Sequence, residues 1–227
     1  MPKTGGTSVH GAFNLQEGHP TRAYGGHDPC FLHPGELSAR RVIGTVRDPW
    51  TWYRSLFEHV MNNNEGQRAQ LAQWGGGSLE FRDVLYGWTG HREGYRPRPG
   101  IIWDPVDKSG PAPGEGLWSW AVRYFYQGAP GSWLTDCLLD TGQLDDALRL
   151  LGVEPVPPRN TRKQRGKGRF VAMAKAEAER ALWDDEMFGW VQAGDATTAK
   201  LLGYLEPFTP REGGALFDCG PASSVAA

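Results

Sequence analysis

The chain has 227 residues, 39% of them hydrophobic, with a formal net charge of -2 at pH 7. That length suits one α/β domain with a sizeable core, and the near-neutral charge argues against bulk attraction to nucleic acid or to an anionic membrane surface. Three widely spaced cysteines (Cys30, Cys137 and Cys219) include no Cys-x-x-Cys pair. They argue against a disulfide framework and a structural zinc site, and no apolar run approaches the ~20 residues of a membrane span. With a polar start from Pro2 onward and no signal peptide, a reducing, cytoplasmic setting is the simplest expectation.

In chain order, Met1-Pro2-Lys3-Thr4-Gly5-Gly6-Thr7-Ser8 is a turn signal, and Thr7 or Ser8 can cap a short helix to about Leu15. Residues 16–29, rich in Gly, His and Pro, read as loop with a short strand near Thr21–Tyr24, and Pro34–Ala39 as a helical turn. Arg41–Val46 is a β-branched run and predicts a buried strand. Asp48 then suits a helix N-cap and Pro49 the first helical position, with Trp50, Tyr53, Phe57 and Val60 or Met61 recurring at helical spacing. Arg47 therefore stands at the carboxyl end of a strand.

Asn62–Gly77 is polar and Gly-rich, with a helix over Gln67–Trp74 as the alternative, and further helices are expected over Leu79–Trp88, Leu117–Gln127 and Leu144–Leu151, the last stopped by Gly152. A long Pro/Gly loop spans His91–Gly116, and Trp133–Leu139 reads as a second buried strand. Pro155–Gly168 is loop. Phe170–Val191 reads as a helix interrupted near Gly189, and Asp195–Leu202 as a last helix. Residues 1–207 form a single domain in this reading, and 208–227 a flexible tail. Alternating strands and helices predict an α/β fold with a mostly parallel sheet, whose ligands bind beyond the carboxyl ends of its strands.

Two stretches carry chemistry. In Pro2–Ser8 the glycines let backbone approach an anion, Thr7 and Ser8 lead into a helix N-terminus, and Lys3 adds a full charge. This suits a phosphate or sulfate cradle; the alternative is a flexible N-terminal tail. It is not a Walker A loop, since no Gly-Lys-Ser/Thr triplet ends it. In the second stretch, the strand-end Arg47 and the hydroxyl of Ser55, two helical turns on, can clamp one anion from two sides. The alternative is an Arg paired with a carboxylate and a Ser facing solvent.

Taken together, the two stretches resemble the sulfotransferases that use 3′-phosphoadenosine-5′-phosphosulfate (PAPS). Pro2-Lys3-Thr4-Gly5-Gly6-Thr7-Ser8 is similar to the family's Pro-Lys-x-Gly-x-Thr-type loop for the 5′-phosphosulfate. Arg47-Asp48-Pro49, with Ser55 eight positions after the Arg, is similar to its clamp for the 3′-phosphate. The resemblance is specific over residues 2–60 and diffuse beyond. A basic run containing Arg159, Arg162, Lys163, Arg165, Lys167 and Arg169 resembles the loop that covers the nucleotide, and Leu201-Leu202-Gly203-Tyr204 a usual helix ending. Tyr24-Gly25-Gly26-His27-Asp28 resembles the Gly-His segment of uronyl 2-O-sulfotransferases.

The resemblance implies a three-layer, P-loop NTPase-like sulfotransferase fold. It also implies transfer of a sulfuryl group from PAPS to a small-molecule or glycan acceptor, without a metal. Lys3, Thr4, Gly5, Gly6, Thr7, Ser8, Arg47, Ser55, Arg162 and Lys163 would bind the donor. Lys3 would also stabilise developing charge, and His27 would take the acceptor proton; otherwise His27 is a loop histidine bonded to backbone. Glu58 is a second candidate base. Trp50, Trp52, Trp118 and Trp120 either line an acceptor pocket or pack the core. The family loop normally follows a buried central strand, whereas this sequence opens on the loop, so the expectation is a start upstream of Met1 or a domain without that strand. The rival readings are a non-catalytic nucleotide- or polyanion-binding relative and, more remotely, a P-loop kinase.

Overall fold

The computed structural model describes Cys30 and residues 42–62, 65–93, 110–127, 132–155, 180–208 and 215–216. Strand β1 (Ile43–Val46) leads through Arg47 and Asp48 into helix α1 (Pro49–Met61). Helices α2 (Glu65–Trp74), α3 (Phe81–Trp88) and α4 (Leu117–Tyr126) follow, then strand β2 (Cys137–Asp140). A 3₁₀ turn at Thr141–Gln143 opens into α5 (Leu144–Leu150); α6 (Asp185–Leu201) and the short strand β3 (Ala215–Leu216) complete the described elements.

The β1–α1 junction forms as its residues dictate. The Asp48 carboxylate accepts the backbone N–H of Thr51 at 2.9 Å and the Thr51 hydroxyl as well, and Pro49 occupies the first turn, where its missing N–H costs nothing. Trp50, Trp52, Tyr53, Leu56, Phe57 and Val60 form the buried face of α1. That face packs on α2, α3, α4 and α6.

β1 and β2 are parallel, with Ile43 opposite Cys137 and Val46 opposite Asp140; β3 pairs antiparallel on the other edge of β2, Leu138 opposite Leu216. All four residues of β2 are buried, the pattern of a strand covered on both faces. Leu138 enters the large core shared by α1–α4 and α6, while Cys137 and Leu139 enter a second core beneath α5 with Ala147, Leu148, Leu151 and Val153. Helices thus cover both faces of the sheet, and the fold is α/β.

Several expectations are corrected. The ladder of the second strand is confined to Cys137–Asp140, and Trp133 makes only an isolated bridge to Gln127. At Asp136 the carboxylate accepts the Val42 N–H at 2.7 Å while the Asp136 and Cys137 N–H groups share the Val42 carbonyl at 2.9 and 3.2 Å, and the regular ladder opens at Cys137. From Asp184 onward the stretch is one helix: Asp184 caps it by accepting the Met187 N–H at 2.9 Å, and α6 runs unbroken through Gly189 to Leu201, while residues 170–179 of the expected helix lie outside the described residues. A helix-interior glycine costs only about 1 kcal/mol, less than burial of Met187, Val191 and Ala199 on one face returns. Ala215–Leu216, inside the stretch read as a tail, adds a strand to the sheet. Cys137 is disulfide-bonded, against the expectation of no disulfide, whereas Cys30 is a free thiol. Trp50, Trp52, Trp118 and Trp120 are at most 3% exposed and belong to the core, with no acceptor-facing surface to offer.

Among the described residues no strand pairs on the outer side of β1, and one side-chain contact covers it. The Tyr126 hydroxyl accepts the Thr45 N–H at 3.2 Å and donates to the Thr45 carbonyl at 2.5 Å, so a side chain does for β1 what a neighbouring strand would do. Gly44 makes room for it, since a Cβ there would lie 2.7 Å from the Tyr126 ring. Tyr126→Phe keeps the ring but removes both of these bonds to the buried Thr45 backbone. Chemical denaturation should show a loss of about 1–3 kcal/mol; an unchanged midpoint would mean that water or backbone takes over both bonds.

Candidate functional site

The parallel register brings the carboxyl ends of β1 and β2 side by side, so Arg47 and Thr141 each follow a paired strand terminus. The Arg47 Nε–H donates to the Thr141 hydroxyl oxygen at 3.2 Å. The Arg47 backbone carbonyl accepts the Trp118 indole N–H at 2.9 Å. A half-buried guanidinium is therefore tied to the neighbouring strand end while its backbone is pinned to α4. This is the sheet edge at which α/β proteins receive ligands.

Two carboxyl groups flank Arg47. Asp140 is 2% exposed and accepts the Gly142 N–H at 2.8 Å; Asp48 caps α1. Burial raises the pKa of Asp48, partly offset by its bonds from Thr51 and by the charge of Arg47, while Asp140 pushes it up further. Each carboxylate thus has a local capping role. The cap also occupies the N-terminus of α1, so an anion at this edge would have to be met by the guanidinium rather than by the first turn of the helix.

Ser55 lies half-buried on α1, roughly 10 Å along the helix axis from its cap at 1.5 Å per residue. Among the described residues no hydrogen bond joins it to Arg47, whose Nε goes to Thr141 instead. Glu58 pairs with Arg54 at 3.3 Å. Lys3, Thr4, Gly5, Gly6, Thr7, Ser8, His27, Arg162 and Lys163 lie outside the described residues. No group of three or more metal-ligating side chains occurs among the described residues.

A second polar cluster, not anticipated from the sequence, sits in the core. Asp195 on α6 is 1% exposed and accepts the Tyr53 hydroxyl and the Ser119 N–H, both at 2.8 Å. Tyr53 in turn accepts the Trp118 N–H at 3.1 Å. These are first-turn N–H groups of α4, whose cap residue Gly116 has no side chain to offer. A Cβ on Gly116 would stand 2.4 Å from Asp195, so the glycine admits the carboxylate that caps its helix from across the core. Burial raises Asp195 to about 6, against the hydrogen bonds from Ser119 and Tyr53 that lower it. Its partners make this a structural cap.

Sequence reasoning missed Thr141: it lies 94 positions from Arg47, and only the parallel register, which sets Val46 opposite Asp140, makes the two neighbours. Comparison of the chain with family models, with curated proteins and with solved structures found no match.

Proposed function

We propose that the protein is a PAPS-dependent sulfotransferase with a P-loop-like fold. The observation that carries this reading is the unit β1–Arg47–Asp48–Pro49–α1, which sets a strand-end guanidinium at the carboxyl edge of a parallel strand pair. Arg47, with Ser55, holds the 3′-phosphate. Lys3 and the Thr4–Ser8 backbone hold the phosphosulfate, and Arg162 and Lys163 close over the nucleotide. In the transfer, the bond from sulfur to the phosphate oxygen breaks as a bond from the acceptor hydroxyl or amine to sulfur forms. The acceptor proton passes to His27, and adenosine 3′,5′-bisphosphate leaves. Such a step is dominated by positioning and charge stabilisation, with no metal required.

No described helix is long and apolar enough to cross a membrane. Disulfides persist in oxidising compartments, so the bond at Cys137 favours such a setting over the cytoplasm.

Calorimetric titration with adenosine 3′,5′-bisphosphate and with ATP tests the reading. Binding of the bisphosphate well above that of ATP is expected, followed by transfer from labelled PAPS to a member of a sugar and phenol panel. Preference for ATP would overturn the proposal. Bisphosphate binding without transfer to any acceptor would make the protein a non-catalytic nucleotide-binding relative.

A further inference from the structure

We infer that Thr141 is a positioning residue for the anion site: its hydroxyl fixes the Arg47 guanidinium at the carboxyl edge of the sheet. The inference deepens the reading above and rests on Arg47 being the phosphate ligand.

Thr141 is 94 positions from Arg47 in the chain, yet the register that sets Val46 opposite Asp140 makes the two neighbours one step beyond their strands. Thr141 opens the 3₁₀ turn, and that turn is itself fixed, because the Asp140 carboxylate holds the Gly142 N–H at 2.8 Å. Beneath it, Leu139, Ala147 and Leu148 are buried in the second core, so the hydroxyl stands on a rigid base. At the other side, the Trp118 indole pins the Arg47 carbonyl. A long, rotamer-rich side chain is thereby held at its backbone and at Nε.

That matters chemically because an arginine met by a phosphate loses side-chain freedom on binding. A bond at Nε made beforehand removes part of that cost and aims the plane of the fork. Serine can make the same bond; valine fills the same volume and cannot.

The test compares Thr141→Val and Thr141→Ser in the full chain, with two readouts. The first needs no ligand: the Nε–H resonance of Arg47, assigned through its loss in Arg47→Ala, followed by its shift and exchange with water. The second is the dissociation constant for adenosine 3′,5′-bisphosphate. Thr141→Val should shift the resonance and speed its exchange, and should weaken bisphosphate binding roughly three- to tenfold, the scale of one hydrogen bond. Thr141→Ser should keep both within about twofold. A Thr141→Val protein with an unchanged Arg47 resonance and unchanged affinity would overturn the inference, as would a Thr141→Ser protein as impaired as Thr141→Val. If the wild type does not bind the bisphosphate, the sulfotransferase reading fails, while the resonance still decides whether Thr141 holds Arg47.

Discussion

Asp195→Ala should lower the stability of the protein by about 3–5 kcal/mol, because it strands several buried donors at once. The Ser119 N–H and the Tyr53 hydroxyl both end on this carboxylate, and Tyr53 relays to the Trp118 N–H. Neither water nor a local side chain is placed to replace it, since α4 begins at a glycine and Asp195 is 1% exposed. Denaturant titration at fixed pH reads the loss directly. Asp195→Asn separates the hydrogen bonds from the charge. Burial raises the folded-state pKa of Asp195 from 3.8 to about 6. Between those values the folded state holds a proton that the unfolded state has released, so the Asp195 contribution to stability falls as pH rises from about 4 to about 6 and is level above that. A rise of about two units corresponds to roughly 3 kcal/mol across that window. Asp195→Asn should remove this slope. Parallel wild-type and Asp195→Asn stability profiles over pH 4–6 would show that Asp195 does not titrate there.

The part of the fold legible in the sequence is the part written locally. The β-branched run of β1, the Asp-Pro start of α1 and the helical spacing of Trp50, Tyr53, Phe57 and Val60 each act within a few residues, and each forms as expected. Gly152 likewise ends α5 with φ at +73°. What the sequence hid was set by pairs far apart in the chain. Tyr53 and Asp195 are 142 positions apart, and Arg47 and Thr141 are 94. No local pattern marks Asp195 as the cap of a helix to which it does not belong; read along its own segment, it suggested a fresh helix start. Gly189 misled for a related reason. A glycine weakens a helix by its own propensity, but the apolar stripe Met187–Val191 continuing through Ala199 holds α6 together against the core. The tryptophans show the limit of composition: flat rings suit sugars and cores equally, and burial alone assigns Trp52, Trp118 and Trp120 to packing. The position of Arg47 at the carboxyl end of β1 was legible because strand and cap are both local, whereas Thr141 was missed because only the parallel register reveals it.

Arg47→Ala should weaken adenosine 3′,5′-bisphosphate binding by about 2–4 kcal/mol, the scale of losing one partner of a desolvated charge pair. It should leave adenosine 5′-phosphate, which lacks the 3′-phosphate, almost unaffected. The fold should survive the change. The Trp118 indole bonds the Arg47 backbone carbonyl, which alanine retains, and the cap on α1 belongs to Asp48. The side chain's described bond goes to the half-buried Thr141 hydroxyl, which can turn to water once the guanidinium is gone. Arg47→Lys sharpens the comparison: it keeps the charge but has no Nε–H to offer Thr141 and no planar fork for two phosphate oxygens. Its affinity for the bisphosphate should fall between wild type and Arg47→Ala, with a weaker dependence on what stands at position 141. Calorimetry on the three proteins, each checked for an unchanged unfolding midpoint, decides the matter. Equal losses for the two nucleotides would mean that Arg47 meets a group common to both, and the assignment of the 3′-phosphate to this edge of the sheet would have to be given up.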